Sequence, residues 1–188
     1  MILCTGNICR SPAAEALLRH RLEQRGIDAQ VLSAGLLEGG QPASAHGVDV
    51  LSGMGIDLST HRSQSMTVEL IQRADLVLGM AREHVVNAVV SAPEAEAFPR
   101  TFTLKELVRR GRAIGPRQRG EPLDRWLARA HAGRSTRDLL GHSPDDDIQD
   151  PIGRPRSAFE RMVDELAGLL DELVWLVWGE SERGEQAS

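Results

Sequence analysis

Cys4-Thr5-Gly6-Asn7-Ile8-Cys9-Arg10-Ser11-Pro12 stands between a short apolar run, Met1-Ile2-Leu3, and a segment with one apolar face, Ala13, Ala14, Leu17, Leu18 and Leu22. The apolar run predicts a brief first strand ending at Cys4. Thr5 to Arg10 read as a polar loop. Ser11-Pro12 then opens a helix, with Ser11 as the cap and Pro12 at the first helical position, where a missing N–H costs nothing. Gly26 supplies the stop. A second strand, Val31-Leu32 running into Ser33-Ala34-Gly35, completes a strand–loop–helix–strand unit. That unit is the opening of a parallel α/β fold, with the loop between its first strand and first helix.

Working outward, Ala43 to Met54 predicts a helix closed by Gly55, and Thr67 to Arg73 a short helix. Leu76-Val77-Leu78 predicts a buried strand, Arg82 to Val90 a helix, and Thr101-Phe102-Thr103 a fourth strand. Phe159, Met162, Val163, Leu166, Leu169, Leu170, Leu173 and Val177 share one face of a long final helix. One domain over residues 1–178 is expected, with a polar, disordered tail at 179–188. From Lys105 to His142 ten basic residues stand against four acidic ones. This stretch reads as a solvated helical insertion, with an acidic partner as the functional alternative.

The chain has 188 residues, enough for one domain that needs no disulfide or metal to supplement its core. Its net charge of −5 argues against a nucleic-acid binder. Cys4 and Cys9 are the only cysteines and lie too close to staple a fold, so they suggest chemistry in a reducing compartment. The six histidines form no zinc-ligand spacing, and neither a metal nor a cofactor is expected. Leu166 to Trp178 is interrupted by Asp171 and Glu172, so no membrane span is expected. The start does not read as a secretion signal. A cytoplasmic protein is the expectation.

A loop that leaves a strand and enters a helix aims its N–H groups and the helix dipole at one point, the geometry of an anion site. Gly6 and Asn7 tolerate positive φ and let such a loop curl around a phosphate. Arg10 closes the ring with a planar fork that suits two phosphate oxygens. Cys4 lies at the centre, where those dipoles favour a thiolate over a thiol, and Ser11 is placed to hydrogen-bond its sulfur. A thiolate inside an anion cradle is a nucleophile aimed at phosphorus.

Cleaving a phosphomonoester also needs a proton for the departing oxygen. Asp145-Asp146-Asp147-Ile148-Gln149-Asp150-Pro151 is an acidic cluster in which a carboxylate precedes a proline on an expected loop. Proline biases Asp150 toward an extended conformation that projects its side chain. Asp150 is therefore the expected general acid, with Asp147 as the second candidate.

The motif Cys4 to Pro12 resembles the phosphate loop of the low-molecular-weight protein tyrosine phosphatases. Ser33-Ala34-Gly35, Gly55-Ile56-Asp57-Leu58-Ser59 with His61-Arg62, Ala74 to Leu78, and Asp150-Pro151 are similar to further motifs of that family. The resemblance implies a three-layer fold with a four-stranded parallel sheet between helices and a site at its carboxyl edge. It also implies Cys4 as nucleophile, Arg10 as phosphate clamp, the backbone of Thr5, Gly6, Asn7, Ile8, Cys9, Arg10 and Ser11 as the phosphate cradle, and Asn7 held by Ser33 and His61. The expected activity is hydrolysis of phosphotyrosine in proteins through a cysteinyl-phosphate intermediate.

Three alternatives share the scaffold. Arginine-phosphate phosphatases of this fold tend to carry threonine where Ile8 stands. Arsenate reduction relays electrons through downstream cysteines, and none follows Cys9. A phosphate-binding module without catalysis needs neither the thiol nor the acid. Ile152-Gly153 follow the Asp-Pro pair where aryl-phosphate specialists carry aromatics, and the chain contains no tyrosine.

Overall fold

The computed structural model describes residues 1–93, 96–139 and 144–179. Four strands, β1 (Ile2–Cys4), β2 (Ser33–Gly35), β3 (Val77–Gly79) and β4 (Thr101–Thr103), form a parallel sheet in the order β2-β1-β3-β4. The chain moves from β1 to one side for β2 and then to the other for β3. The β1–β3 boundary is thus a topological switch point, where a crevice opens beyond the carboxyl ends of the strands.

The two-residue period of β1 sorts its side chains into both cores. Ile2 and Cys4 face the larger cluster, together with Leu78 and Phe102, while Leu3 joins Ala34 and Val77 in the smaller one. Helices α1 (Arg10–Gln24), α2 (Ala45–Ser52), α5 (Leu104–Ile114), α6 (Leu123–His131) and α7 (Arg156–Trp178) cover the larger side. Helices α3 (Val68–Arg73) and α4 (Arg82–Ser91) cover the other. Thr67 caps α3 by accepting the Leu70 N–H at 3.3 Å.

Two helix starts differ from the sequence expectation. Helix α1 begins at Arg10 with Cys9 as its cap, not at Pro12 with Ser11, because the Ser11 hydroxyl is committed to the sulfur of Cys4. Helix α2 is shorter than Ala43 to Met54, although Gly55 does turn with φ +74°. In β2, Val31 and Leu32 lie outside the strand, and Leu32 contributes one carbonyl, to the Ile2 N–H at 2.9 Å.

The basic stretch from Lys105 to His142 is less solvated than its charge count suggested. Leu104, Leu107 and Val108 of α5 and Trp126, Leu127 and Ala130 of α6 are buried in the larger core. Trp126 donates its indole N–H to Gly115 O at 3.0 Å and lies over Gly111, where a Cβ would stand 2.7 Å from Leu176 Cδ1. Its cations are largely engaged within the chain: Lys105 with Glu165, Arg112 with Glu172, Arg129 with Glu121, and Arg110 and Arg134 with Glu106. Residues 140–142 of this stretch and residues 180–188 of the expected tail lie outside the described residues.

Candidate active site

Five residues connect β1 to α1, and the turn they make hinges on Asn7, which adopts φ +51°. Asparagine tolerates the left-handed region because its short amide can bond locally. Gly6, expected to share that role, stays outside the positive-φ region. The curl brings the Asn7 N–H to 3.2 Å from Cys4 Sγ, and the Ser11 hydroxyl donates to the same sulfur at 3.0 Å. Gly35 of β2 lies directly under the loop. A Cβ there would stand 2.9 Å from Thr5 O and 3.0 Å from Asn7 N, so any side chain would push the loop outward.

The buried Asn7 side chain fixes the direction of each hydrogen bond around it. Its Oδ1 accepts the Gln64 N–H at 2.9 Å, and its amide donates to Ser33 Oγ at 2.7 Å and to Ser11 Oγ at 2.9 Å. Ser33 in turn donates its own O–H to Glu15 Oε2 at 2.5 Å. Ser11, having accepted from Asn7, is left with its O–H for sulfur. A relay therefore runs from the Glu15 carboxylate through Ser33, Asn7 and Ser11 to Cys4. His61 Nε2 donates to the Asn7 carbonyl at 2.8 Å. Ser33 and His61 therefore both meet Asn7. Glu15 and Gln64 were not among the residues singled out from sequence.

Arg10 is buried at the start of α1. Its Nη2 donates to Thr5 Oγ1 at 3.1 Å and to Asp150 Oδ2 at 2.5 Å, while its Nε is buried without a protein partner. Asp150 also accepts the Ile152 N–H on Oδ1 at 3.1 Å, and its side chain is 38% exposed. Asp147, the second acid candidate, points away: its Oδ1 accepts the Arg82 N–H at the head of α4 at 2.9 Å. Cys9 packs in the core, and its thiol is pushed up to about 12 by burial first and then by the charges of Asp150 and Cys4. It stays protonated.

Together these residues line a cleft of about 140 Å³. Cys4 and Arg10 form its floor, Asp150 one wall, and Ile8, Leu37 and Ile152 an aliphatic rim. Leu37 and Ile152 are 58% and 54% exposed, although both are large and apolar. Among the described residues no cluster of His, Cys, Asp and Glu could hold a metal ion, and no helix is long and apolar enough to cross a membrane.

Sequence alone gave no role to His84. Its ring is fully buried behind the loop, with Nε2 3.1 Å from Thr5 Oγ1, while Nδ1 has no partner. Burial, and secondly the charge of Arg10, pushes its pKa from 6.5 down to about 3. Because the folded value lies below the unfolded one, folding to neutral His84 is favoured fully above pH 6.5. That contribution is lost as the pH falls from 6.5 toward 3, at up to about 1.4 kcal/mol per pH unit. Urea denaturation of wild type and His84→Gln at pH 6.5 and 4.5 is expected to show a shallower pH dependence in the variant. Equal slopes would mean that His84 acquires a proton without unfolding.

Residues 1–113 match the family model described as low molecular weight phosphotyrosine protein phosphatase. A probable low-molecular-weight protein-tyrosine-phosphatase of Ralstonia solanacearum is 48% identical over 81 residues, which cover 43% of this chain and 53% of that protein. This chain thus spans about half the length of that relative. A protein-arginine-phosphatase of Geobacillus stearothermophilus is 33% identical over 174 residues, 92% of this chain and 91% of that one. The crystal structure of a low-molecular-weight protein tyrosine phosphatase from T. tengcongensis superposes with a TM-score of 0.69 at 34% identity, covering 92% of this chain and 95% of that one.

Proposed function

We propose that this chain, which belongs to the low-molecular-weight phosphotyrosine protein phosphatase family, hydrolyses phosphomonoesters on proteins through a cysteinyl-phosphate intermediate. One observation carries the reading: Cys4 Sγ lies on the cleft floor, held by the Asn7 N–H and the Ser11 O–H, with Arg10 beside it. These donors stabilise negative charge on sulfur and orient it toward an incoming phosphoryl group. The unpartnered Arg10 Nε is a donor left over for a phosphate oxygen.

In the first step the thiolate attacks phosphorus. The S–P bond forms, the P–O bond to the leaving group breaks, and Asp150 delivers its proton to the departing oxygen. In the second, Asp150 takes a proton from water, which attacks phosphorus and expels the Cys4 thiolate with release of phosphate. Arg10 is paired with Asp150 here, so an arriving phosphate replaces that carboxylate on the guanidinium and frees it to face the leaving group. The reaction needs Cys4 reduced, and both cysteines are free thiols, which suits a cytoplasmic setting. Steady-state turnover of a chromogenic aryl phosphate in the presence of a chelator tests the reading. No turnover would leave only phosphate binding.

Phosphotyrosine is the favoured substrate over phosphoarginine. Ile8 stands on the rim beside Leu37 and Ile152, and this branched apolar surface suits the flank of an aromatic ring. A threonine at Ile8 would exchange the ethyl arm for a hydroxyl able to meet a guanidinium N–H. Apolar exchanges discriminate modestly, and an added buried hydrogen bond more strongly. On matched peptides the wild type is expected to give a higher kcat/KM for phosphotyrosine, and Ile8→Thr to narrow or reverse that preference. A wild type that prefers phosphoarginine would overturn the substrate while leaving Cys4, Arg10 and Asp150 in their roles.

A further inference from the structure

The acid loop is anchored with unusual density just before Asp150. Asp146 is 3% exposed, and its carboxylate is shared by two arginines, Arg109 of α5 on Oδ1 and Arg82 of α4 on Oδ2 at 3.1 Å. Arg82 also reaches Asp138 O, in the turn over Thr136–Leu139, and its backbone N–H holds Asp147 Oδ1. Lys105 binds Asp147 O at 2.8 Å while paired with Glu165 of α7 at 2.6 Å. Ile148 donates its N–H to Met80 O at 2.7 Å, and its own carbonyl faces Arg10 Nη1 at 3.4 Å. Residues 146 to 148 are thus tied to α4, α5, α1 and the end of β3. Asp150 follows two residues later.

We infer that Asp146, with Arg82 and Arg109, is a positioning residue for the general acid. On this view two cations of the basic stretch, Arg109 and Lys105, hold the chain's own acid loop. The inference rests on the phosphatase reading above and adds a part to it. Two cations around one buried carboxylate leave a single favourable arrangement, because releasing it strands a buried charge. The loop after that point is therefore rigid, and rigidity matters at Asp150. Proton transfer needs the carboxyl within hydrogen-bond reach of the leaving oxygen, and a displacement of about 1 Å can cost on the order of 10²-fold. Asp146 touches neither substrate nor sulfur and acts through Asp150 alone.

The test compares kcat/KM for phenyl phosphate, whose leaving group needs a proton, with that for 2,4-dinitrophenyl phosphate, whose leaving group does not. Asp146→Asn is expected to lower the first about 10- to 100-fold and the second less than about 3-fold. In an Asp150→Asn background the same change should cost nothing further on phenyl phosphate, since a residue acting through Asp150 has nothing left to position. Arg109→Gln removes one arm of the network from a half-exposed site and keeps the test decisive if Asp146→Asn does not fold. It should give a smaller loss with the same selectivity. A folded variant that loses equally on both esters, or on neither, overturns the inference. Absence of wild-type turnover on both esters would instead overturn the phosphatase reading.

Discussion

Cys4→Ser is expected to abolish turnover while phosphate and vanadate still bind. Oxygen in place of sulfur leaves the cradle nearly unchanged: Asn7 is also held by Ser33 and Gln64, Ser11 by Asn7, and Arg10 by Thr5 and Asp150, while the Asn7 N–H and Ser11 O–H that now meet sulfur can meet a serine oxygen instead. What is lost is the nucleophile, because a serine hydroxyl near neutral pH keeps its proton and the two groups that meet the sulfur, the Asn7 N–H and the Ser11 O–H, are donors. Residual activity above about a hundredth of wild type would overturn the covalent route. Calorimetric binding of inorganic phosphate should change little. Loss of binding together with turnover would make Cys4 a structural support of the loop.

The part of this site that was legible in the sequence is the part that is contiguous in it. A strand, a tight loop and a helix in nine residues dictate where Cys4, Asn7 and Arg10 converge, because local geometry alone aims their donors at one point. The relay behind them was legible only in part: Ser11 followed from its place beside Cys4 and Ser33 from the family resemblance, but the outer partners did not follow from either. Glu15 reads as one more polar residue on a helix, and Gln64 and His84 come from segments 57 and 79 residues away from their loop partners. The pairing of Gly35 with the segment at Gln64 and Ser65 and the packing of α4 on β3, which neighbours β1, bring the last two in. Of the two roles read for Ser11, donor to sulfur and helix cap, only the first holds: a serine before a proline suits a cap, but a buried sulfur 3.0 Å away takes the same hydroxyl. The basic stretch misled most. Its cations were counted, yet nothing local indicates that Asp146, Glu165 and Glu172 fold back onto them. The spacing of Leu104, Leu107, Val108 and Gly111 did carry the helical period of a packed face.

Asp150→Asn is expected to lower kcat/KM for phenyl phosphate about 10²–10⁴-fold, the usual contribution of a positioned general acid. Asparagine keeps the shape and can still accept the Ile152 N–H that orients Asp150 now. It has no carboxyl proton to give, so phenolate, whose conjugate acid has a pKa of about 10, must leave as the anion. A dinitrophenyl ester leaves without help and should lose far less. The same substitution removes the negative charge that pairs with Arg10 at 2.5 Å. Phosphate then no longer competes with a carboxylate for the guanidinium, so product inhibition should tighten as turnover falls. These two effects move in opposite directions, which a merely destabilised loop cannot produce. A uniform loss across both esters with weaker phosphate binding would make Asp150 a structural residue. The search for the acid would then turn to Asp147, whose carboxylate would first have to release the head of α4.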